Sequence, residues 1–157
     1  MEIVELTLTP ETVDALIALS ADWEAEASCR GYHINAASDI EGRRVLAAMK
    51  DGRIIGYLFG RMETAKNSSS AMPEGAPFFE VEELYVRPEH RSKGVGRALF
   101  KRCEASADGA DYLALSTATR DWRAIMHFYI DEMGMEFWNA RLFKPLRGGD
   151  ESDVHGS

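Results

Sequence analysis

The chain is poor in the residues that build disulfide scaffolds and metal clusters. It has two cysteines, Cys29 and Cys103, and four histidines in 157 residues. Two thiols exclude a disulfide framework and a four-thiolate zinc site, and the histidines show no metal-ligand spacing. We therefore expect reduced thiols and no metal.

Long apolar runs and an excess of basic charge are also missing. The sequence contains no run of about 18 apolar residues, the length that crosses a bilayer. Its first residues, MEIVELT, lack the basic and apolar regions of a secretory signal. The 18 Lys and Arg stand against 26 Asp and Glu, with a net charge of −8 and an isoelectric point near 5.0. We expect a soluble cytoplasmic protein that binds neither membrane nor nucleic acid.

The charges are unevenly placed. Residues 1–41 hold nine acidic residues and one base, Arg30. Residues 87–102 hold six of the 18 basic residues and one acid, Glu89. A basic cluster in an acidic chain favours a specific anion site, although a solvated helix face has the same composition.

The N-terminal third predicts a strand and a helix. Residues 3–8 alternate between apolar and polar, as a half-buried strand does. Thr9 supplies a helix N-cap and Pro10 suits the first helical position. The apolar face that follows predicts a helix that ends near Gly31. Residues 32–42 are expected to be loop or short helix.

The middle of the chain predicts a β-hairpin followed by a loop. Asp51-Gly52 is a strong two-residue hairpin signal and joins the apolar runs 43–50 and 53–62. Residues 63–77 are rich in Ser, Gly and Pro, which predicts a long mobile loop.

The last half of the chain predicts two strands, two helices and a pair of terminal strands. In chain order they are strand Phe78–Val86, helix 94–107, strand 111–117, helix 121–132, and strands 136–139 and 140–146. This order indicates an α+β, or α/β layered, domain with one largely antiparallel sheet. We expect one domain over residues 1–146 and a polar, disordered tail over residues 147–157.

The segment from strand 78–86 into the next helix has the pattern of a phosphate cradle. Gly94 and Gly96 allow a ligand to approach the backbone closely. The start of the helix adds unpaired N–H groups and the positive end of its dipole. Arg91, Lys93 and Arg97 add positive charge. The dinucleotide fingerprint and the P-loop pattern are both absent, and Gly-x-Gly alone also suits an ordinary turn.

The stretch Arg91-Ser92-Lys93-Gly94-Val95-Gly96 resembles the (Gln/Arg)-x-x-Gly-x-(Gly/Ala) motif of the GNAT superfamily of acetyl-CoA-dependent N-acetyltransferases. The preceding Glu83-Leu84-Tyr85-Val86-Arg87-Pro88 is similar to that family's fourth strand and the turn after it. The order of elements agrees over residues 3–146. The resemblance implies a twisted, mostly antiparallel sheet, flanked by helices and splayed between strands 4 and 5.

The resemblance also implies how acetyl-CoA is held. Pantetheine would lie in the splay and pair with the backbone of Leu84, Tyr85 and Val86, whose free amides also suit an oxyanion hole. The diphosphate would bind at the start of the helix. The residues matching that loop are Arg91, Ser92, Lys93, Gly94, Val95, Gly96, Arg97 and Ala98.

Acetyl transfer to an amine requires that the amine lose its proton. A lysine-like amine, with a pKa of about 10.4, is almost wholly protonated at pH 7. In several branches of the family the base lies six or four residues before the position of Val86, which here are Glu80 and Glu82. Alternation along a strand places these two on one face and Glu83 on the other until a bulge intervenes.

The resemblance points to Tyr129 as the general acid that protonates the leaving thiolate. The family pattern Asn-x-x-Ala-x-x-(Phe/Leu)-Tyr-x-x-x-Gly is met only partly, because Ala124, Tyr129 and Gly134 are each separated by one residue too many. The extra residue either places Phe128 at the family's position or is absorbed by a π-bulge.

The acidic N-terminal segment favours a cationic small molecule as amine acceptor. Trp23, Tyr32 and His33 are candidates to line its site, because the corresponding helices and loop of the family do so. A peptide or protein amine, or an acetyl-CoA-binding module without catalysis, remain alternatives. The resemblance also implies a possible homodimer.

Overall fold

A computed structural model describes residues 1–67 and 70–148. Its strands are β1 (Glu2–Glu5), β2 (Arg44–Lys50), β3 (Arg53–Thr64), β4 (Pro77–Val86) and β5 (Tyr112–Leu115). Its α-helices are α1 (Pro10–Ala25), α2 (Ala37–Ile40), α3 (Val95–Ser106) and α4 (Trp122–Met126). A 3₁₀ turn covers Pro88–His90 and a π-helical segment covers His127–Glu132.

The five strands form one sheet in the order β1-β2-β3-β4-β5. Neighbours are antiparallel except for β4 and β5, which are parallel. Asp51 and Gly52 have φ values of 50° and 74°, the left-handed conformations that a two-residue hairpin turn requires. The predicted fold class and the predicted hairpin are confirmed.

Helices pack on both faces of the sheet and bury two clusters of apolar side chains. On one face, Val13, Leu16 and Leu19 of α1 pack with Tyr57 and Tyr85. On the other face, α3 packs against the sheet through Val95, Leu99 and Cys103. Cys103 is 1% exposed and packs as a small apolar residue.

Helix α1 begins as predicted but ends six residues early. The Thr9 hydroxyl accepts from the Thr12 amide and caps the helix. The helix ends at Ala25 because Ala27 adopts a left-handed φ of 53°. The chain then pairs as an extended segment, with the Arg30 amide donating to the Ala118 carbonyl at 2.9 Å. The prediction that the helix reaches Gly31 was therefore wrong.

The predicted C-terminal helix is an α-helix that continues as a π-helix. Asp121 caps α4 by accepting from the Ala124 amide, at the residue where the helix was predicted to start. The helix widens at His127–Glu132, where the Met133 amide donates to the Phe128 carbonyl, five residues back. The wider turn accommodates one more residue than an α-helix does, so the chain absorbs the extra residue by the π-bulge.

Two predictions at loops and termini were wrong. Residues 136–146, all of which the structure describes, form no strand. Among them, Leu142 and Leu146 are 92% and 87% exposed. Part of segment 63–77 is not loop, because Thr64 pairs with Pro77 and Ala65 is buried. Its residues 68 and 69, and residues 149–157 of the predicted tail, lie outside the described residues.

A β-bulge in β4 sets which glutamates share a face. Phe59 pairs with Glu83 and the next residue, Gly60, pairs with Val81, so Glu82 is the extra residue. Before the bulge, Val81 faces α3. After it, Tyr85 faces α1, and Glu83, two residues away, shares that face. The bulge therefore moves Glu83 to the α1 face of the sheet.

Candidate active site

The start of α3 has the backbone shape of an anion cradle. Ser92 and Gly94 have left-handed φ values of 58° and 83°, and Gly94 is the N-cap of the helix. The Ala98 amide donates to the Gly94 carbonyl at 3.0 Å and forms the first helical hydrogen bond. The amides before it, at Val95, Gly96 and Arg97, have no acceptor within the helix.

The basic side chains around this loop differ in what they contact. The Arg91 guanidinium donates to the Val86 carbonyl at 2.9 Å and forms an ion pair with Glu26 at 2.7 Å. Lys93 donates to the Glu89 carbonyl at 3.0 Å. Arg97 is exposed. Arg91 therefore links the loop to the end of α1.

The sheet opens directly in front of the cradle. Pairing between β4 and β5 runs from Phe78 and Tyr112 to Val81 and Leu115, whereas β4 continues to Val86. Leu84, Tyr85 and Val86 therefore lie beyond the last β5 partner, as expected of a splay between the two strands. The Val86 carbonyl is already engaged by Arg91.

Tyr129 lies on the π-helical segment, beside α3. Its ring centroid is 5.9 Å from that of Phe100 and 5.0 Å from that of Phe128. The Phe128 ring would be 3.7 Å from a Cβ placed on Gly96, so this segment packs against the start of α3. Burial, with a smaller effect of Cys29, raises the pKa of Tyr129 to about 12. The hydroxyl is therefore protonated at neutral pH.

A cavity of about 380 Å³ lies across the split. Glu82 and Glu83 of β4 line one side and residues 116–118, after β5, line another. The rest of its wall comes largely from the segment between α1 and β2, and includes the predicted lining residues Trp23, Tyr32 and His33, together with Cys29, Arg30, Asn35, Asp39 and Arg43. A second hollow of about 460 Å³ near the end of α3 contains Arg44 and Arg61, which pair with Glu5 and Glu63.

The Glu83 carboxylate accepts three side-chain hydrogen bonds. Its Oε1 accepts from the hydroxyls of Tyr32 at 2.7 Å and Tyr57 at 3.3 Å. Its Oε2 accepts from Asn35 Nδ2 at 2.5 Å. Burial raises the pKa of Glu83, while these three hydrogen bonds act in the opposite direction.

The two predicted bases, Glu80 and Glu82, have different surroundings. Glu82 is exposed and forms an ion pair with Arg43 at 2.6 Å. Glu80 lies where β4 is paired on both edges, opposite Arg61 and Ala114. Burial, followed by the charges of Glu82 and Glu63, raises its pKa. The structure therefore places Glu82 at the cavity and Glu80 before the split.

Sequence reasoning did not identify Ser20 and Asn35 as parts of this site. The Ser20 hydroxyl lies 2.7 Å from that of Tyr32 and accepts from the Asn35 amide at 2.8 Å. Both residues are buried. Neither is in a recognisable motif, so their polar character at buried positions is visible only in the fold.

Within 1–67 and 70–148, no helix is long and apolar enough to span a bilayer. In the same ranges, no three His, Cys, Asp or Glu side chains group as they would around a metal ion.

Comparison with solved structures defines the class of fold. The aminoglycoside N-acetyltransferase AAC(6')-Iy in complex with CoA is similar with a TM-score of 0.61 and 19% identity, over 94% of this chain and 100% of the other. An aminoglycoside acetyltransferase from an uncultured soil metagenomic sample, in complex with sisomicin, has a TM-score of 0.65 and 15% identity, over 93% and 96%.

A third structure has a different named substrate class. The ribosomal-protein-alanine N-acetyltransferase of Brucella melitensis biovar Abortus 2308 matches with a TM-score of 0.63 and 20% identity, over 92% of this chain and 99% of the other. A search of curated proteins found no match.

The family follows from the sequence itself. The model of the Acetyltransferase (GNAT) family matches residues 11–135, which is most of the chain. The chain therefore belongs to the Acetyltransferase (GNAT) family, and it is an enzyme of the acetyltransferase class.

Proposed function

We propose that the chain transfers the acetyl group of acetyl-CoA to the primary amine of a cationic small molecule. The observation that carries this proposal is the split beyond Val81 and Leu115, which opens in front of the glycine-bearing start of α3. A pantetheine arm would lie along β4 beyond its last β5 partner, and a diphosphate would accept from the N–H groups at the helix start. One structural neighbour is described as a complex with CoA.

The proposed contacts to acetyl-CoA follow the sequence prediction with one change. The backbone of Leu84, Tyr85 and Val86 would hold the arm, and the loop would hold the diphosphate. The residues of that loop are Arg91, Ser92, Lys93, Gly94, Val95, Gly96, Arg97 and Ala98. The Ala98 amide is used inside α3, so its contribution is limited to shaping the turn.

Bound acetyl-CoA supplies a thioester carbonyl carbon that an amine can attack. The chain orients this carbonyl with β4 amides, which stabilise negative charge on the oxygen. Tyr129 is proposed to donate a proton to the departing sulfur, since its raised pKa keeps the hydroxyl protonated.

The cavity walls support a cationic acceptor. Asp39 and Glu83 contribute carboxylates, and the rings of Trp23 and Tyr32 lie 4.5 Å apart at their centroids. Carboxylates and aromatic faces both attract ammonium groups. Glu82 is neutralised by Arg43. Two of the structural neighbours are named as aminoglycoside acetyltransferases.

The test is an assay of thiol release from acetyl-CoA with a panel of amines. The panel contains spermidine, sisomicin, free lysine and a peptide with an N-terminal alanine. We expect turnover above the rate with water for spermidine or sisomicin. Turnover with the peptide and with no other amine would contradict a small-molecule acceptor and indicate a peptide or protein acceptor. Saturable CoA binding without transfer to any amine would favour a binding module.

A homodimer remains a proposal, and the C-terminal segment supports it. Phe137, Leu142, Phe143 and Leu146 are between 62% and 92% exposed. Such a group of exposed apolar side chains is typical of an interaction surface. Sedimentation equilibrium should give twice the chain mass, and Leu142→Ser with Phe143→Ser should shift the equilibrium to the monomer. A monomer at all concentrations would exclude the dimer.

A further inference from the structure

We propose that Glu83 takes the proton from the acceptor amine. This inference rests on the proposed acetyl transfer and names the base within it. It starts from the β4 bulge at Glu82, which moves the Glu83 side chain to the α1 face of the sheet. There it lines the cavity that crosses the split.

Three donors from two segments of the chain hold the Glu83 carboxylate in one orientation. Tyr32 and Asn35 lie in the connection between α1 and β2, and Tyr57 lies in β3. A carboxylate has about four positions at which it accepts hydrogen bonds. Three of these are used, and one remains for an ammonium group in the cavity.

The other carboxylates near the cavity are committed elsewhere. Glu82 accepts from two nitrogens of Arg43, at 2.6 and 3.4 Å. Asp39 accepts from the Ala36 amide at 2.8 Å, as part of the α2 cap. Glu80 lies in the doubly paired part of β4. Glu83 lines the cavity and its carboxylate is held in one orientation. Within residues 1–67 and 70–148, no Lys or Arg forms an ion pair with it.

The proton balance of the step is complete without another reactant. Glu83 accepts one proton from the acceptor ammonium, and the freed nitrogen lone pair forms the C–N bond to the thioester carbon. The C–S bond breaks and the sulfur takes a proton from Tyr129. Tyr129 is then reprotonated by the second proton that the nitrogen loses. Glu83 then releases its proton to water. The products are an amide, a thiol and one proton.

Charged and titratable groups from several elements face Glu83. They are Tyr32, His33 and Asp39 from the α1–β2 connection, Arg43 beside β2, Tyr57 from β3 and Glu82 from β4. Arg30 also lines the cavity. Burial raises the pKa of Glu83, so the carboxylate is a stronger base than an exposed one. Activity should fall as the pH drops through this raised pKa.

The experiment measures kcat/KM between pH 5 and 10 with acetyl-CoA and whichever of spermidine and sisomicin reacts faster. Wild type should show two inflections, one from Glu83 and one from the acceptor amine. Glu83→Gln should lower kcat/KM by at least about 100-fold and remove the lower inflection. The Kd for CoA, from calorimetry, should change less than about twofold.

A second variant separates catalysis from a structural role. Tyr32→Phe removes a donor that favours the charged carboxylate, so the lower inflection should move to higher pH. Glu83→Asp keeps the charge but shortens the side chain, and should retain the inflection at a reduced rate. Glu24→Gln removes an exposed charge on α1 and should match wild type.

The named outcomes decide between the proposals. A Glu83→Gln rate within threefold of wild type, or a lower inflection that persists in it, overturns the role of Glu83. The same follows if Glu80→Gln or Glu82→Gln removes that inflection while Glu83→Gln keeps it. If Glu83→Gln does not fold, an unmoved inflection in Tyr32→Phe overturns the role. Absence of any turnover by wild type overturns the proposed function and this inference together.

Discussion

The Arg91 guanidinium forms an ion pair with the Glu26 carboxylate at 2.7 Å. The same carboxylate accepts from the Tyr85 hydroxyl at 2.9 Å, and Arg91 lies 5.5 Å from the centre of the Tyr85 ring. Glu26, at the end of α1, thus holds both Arg91 of the cradle and the Tyr85 side chain of β4. A negative charge stands beside the proposed diphosphate site.

We predict that Glu26→Gln tightens CoA binding about three- to tenfold. The amide keeps an acceptor for Tyr85 but removes the charge that competes with a diphosphate for Arg91. Calorimetric titration with CoA at two salt concentrations measures the effect. Asp22→Asn is the matched control, because Asp22 is exposed and its contact with Arg87 is long, at 3.9 Å. Weaker binding by Glu26→Gln would show that the ion pair supports the site.

Two substitutions at Gly96 distinguish a steric effect on the cradle from an electrostatic one. A Cβ there would meet Phe128 at 3.7 Å and Val86 at 3.8 Å, which are ordinary contacts. We therefore predict that Gly96→Ala folds and binds CoA within about tenfold of wild type. Gly96→Glu places a carboxylate at the helix start and should abolish binding of CoA. Thermal melts check the fold, and equal affinities of the two variants would refute the cradle.

Gly94 is constrained by its backbone conformation and not by crowding around a side chain. Its φ is 83° and a Cβ would meet nothing within 4 Å. We predict that Gly94→Ala lowers the free energy of unfolding by about 1–2 kcal/mol, because an L-residue is strained in the left-handed region. Urea denaturation measures this loss. Gly109→Ala, with a φ of 82° at the far side of α3, should lose as much stability but keep CoA affinity.

Tyr129→Phe tests the proposed acid. We predict a fall in kcat of about tenfold or more with little change in the Kd for CoA, since the ring packing is kept. The pKa of about 12 means that the Tyr129 hydroxyl stays protonated up to about pH 11. Wild type should therefore lose no activity through this group between pH 7 and 10. An unchanged kcat would remove Tyr129 from the mechanism.

The two thiols should differ in reactivity. Cys103 is buried and its pKa is raised to about 11 by burial, so iodoacetamide should not modify it in the folded protein at pH 8. Cys29 is partly exposed and lines the cavity. Mass spectrometry should find Cys29 modified first and protected by acetyl-CoA with an amine. Labelling of Cys103 before Cys29 would contradict the packing.

Local residue patterns predicted where helices and turns begin better than they predicted the register between neighbouring strands. Asp51-Gly52 specified the hairpin because both residues tolerate positive φ, and Thr9 specified the start of α1 because its side chain caps the helix. A bulge in β4 was expected from the family resemblance, but no local residue pattern places it at Glu82. It arises from how β3 and β4 pair, and it decides which face Glu83 occupies.

The C-terminal segment shows a second limit of local patterns. Residues 136–139 and 140–146 were predicted to be strands, but a strand needs a partner to satisfy its backbone groups. In this structure Phe143 contacts Arg30, with the guanidinium 4.9 Å from the ring centre, and Trp138 donates to Ser70. Such contacts depend on residues distant in sequence.

Calorimetric titration of the purified chain with acetyl-CoA tests the central claim most directly. We predict a saturable isotherm with one site per chain, lost in Gly96→Glu and retained in Glu83→Gln. A flat isotherm for wild type, or equal binding by Gly96→Glu, would contradict the assignment of the α3 start and the β4–β5 split as the acetyl-CoA site.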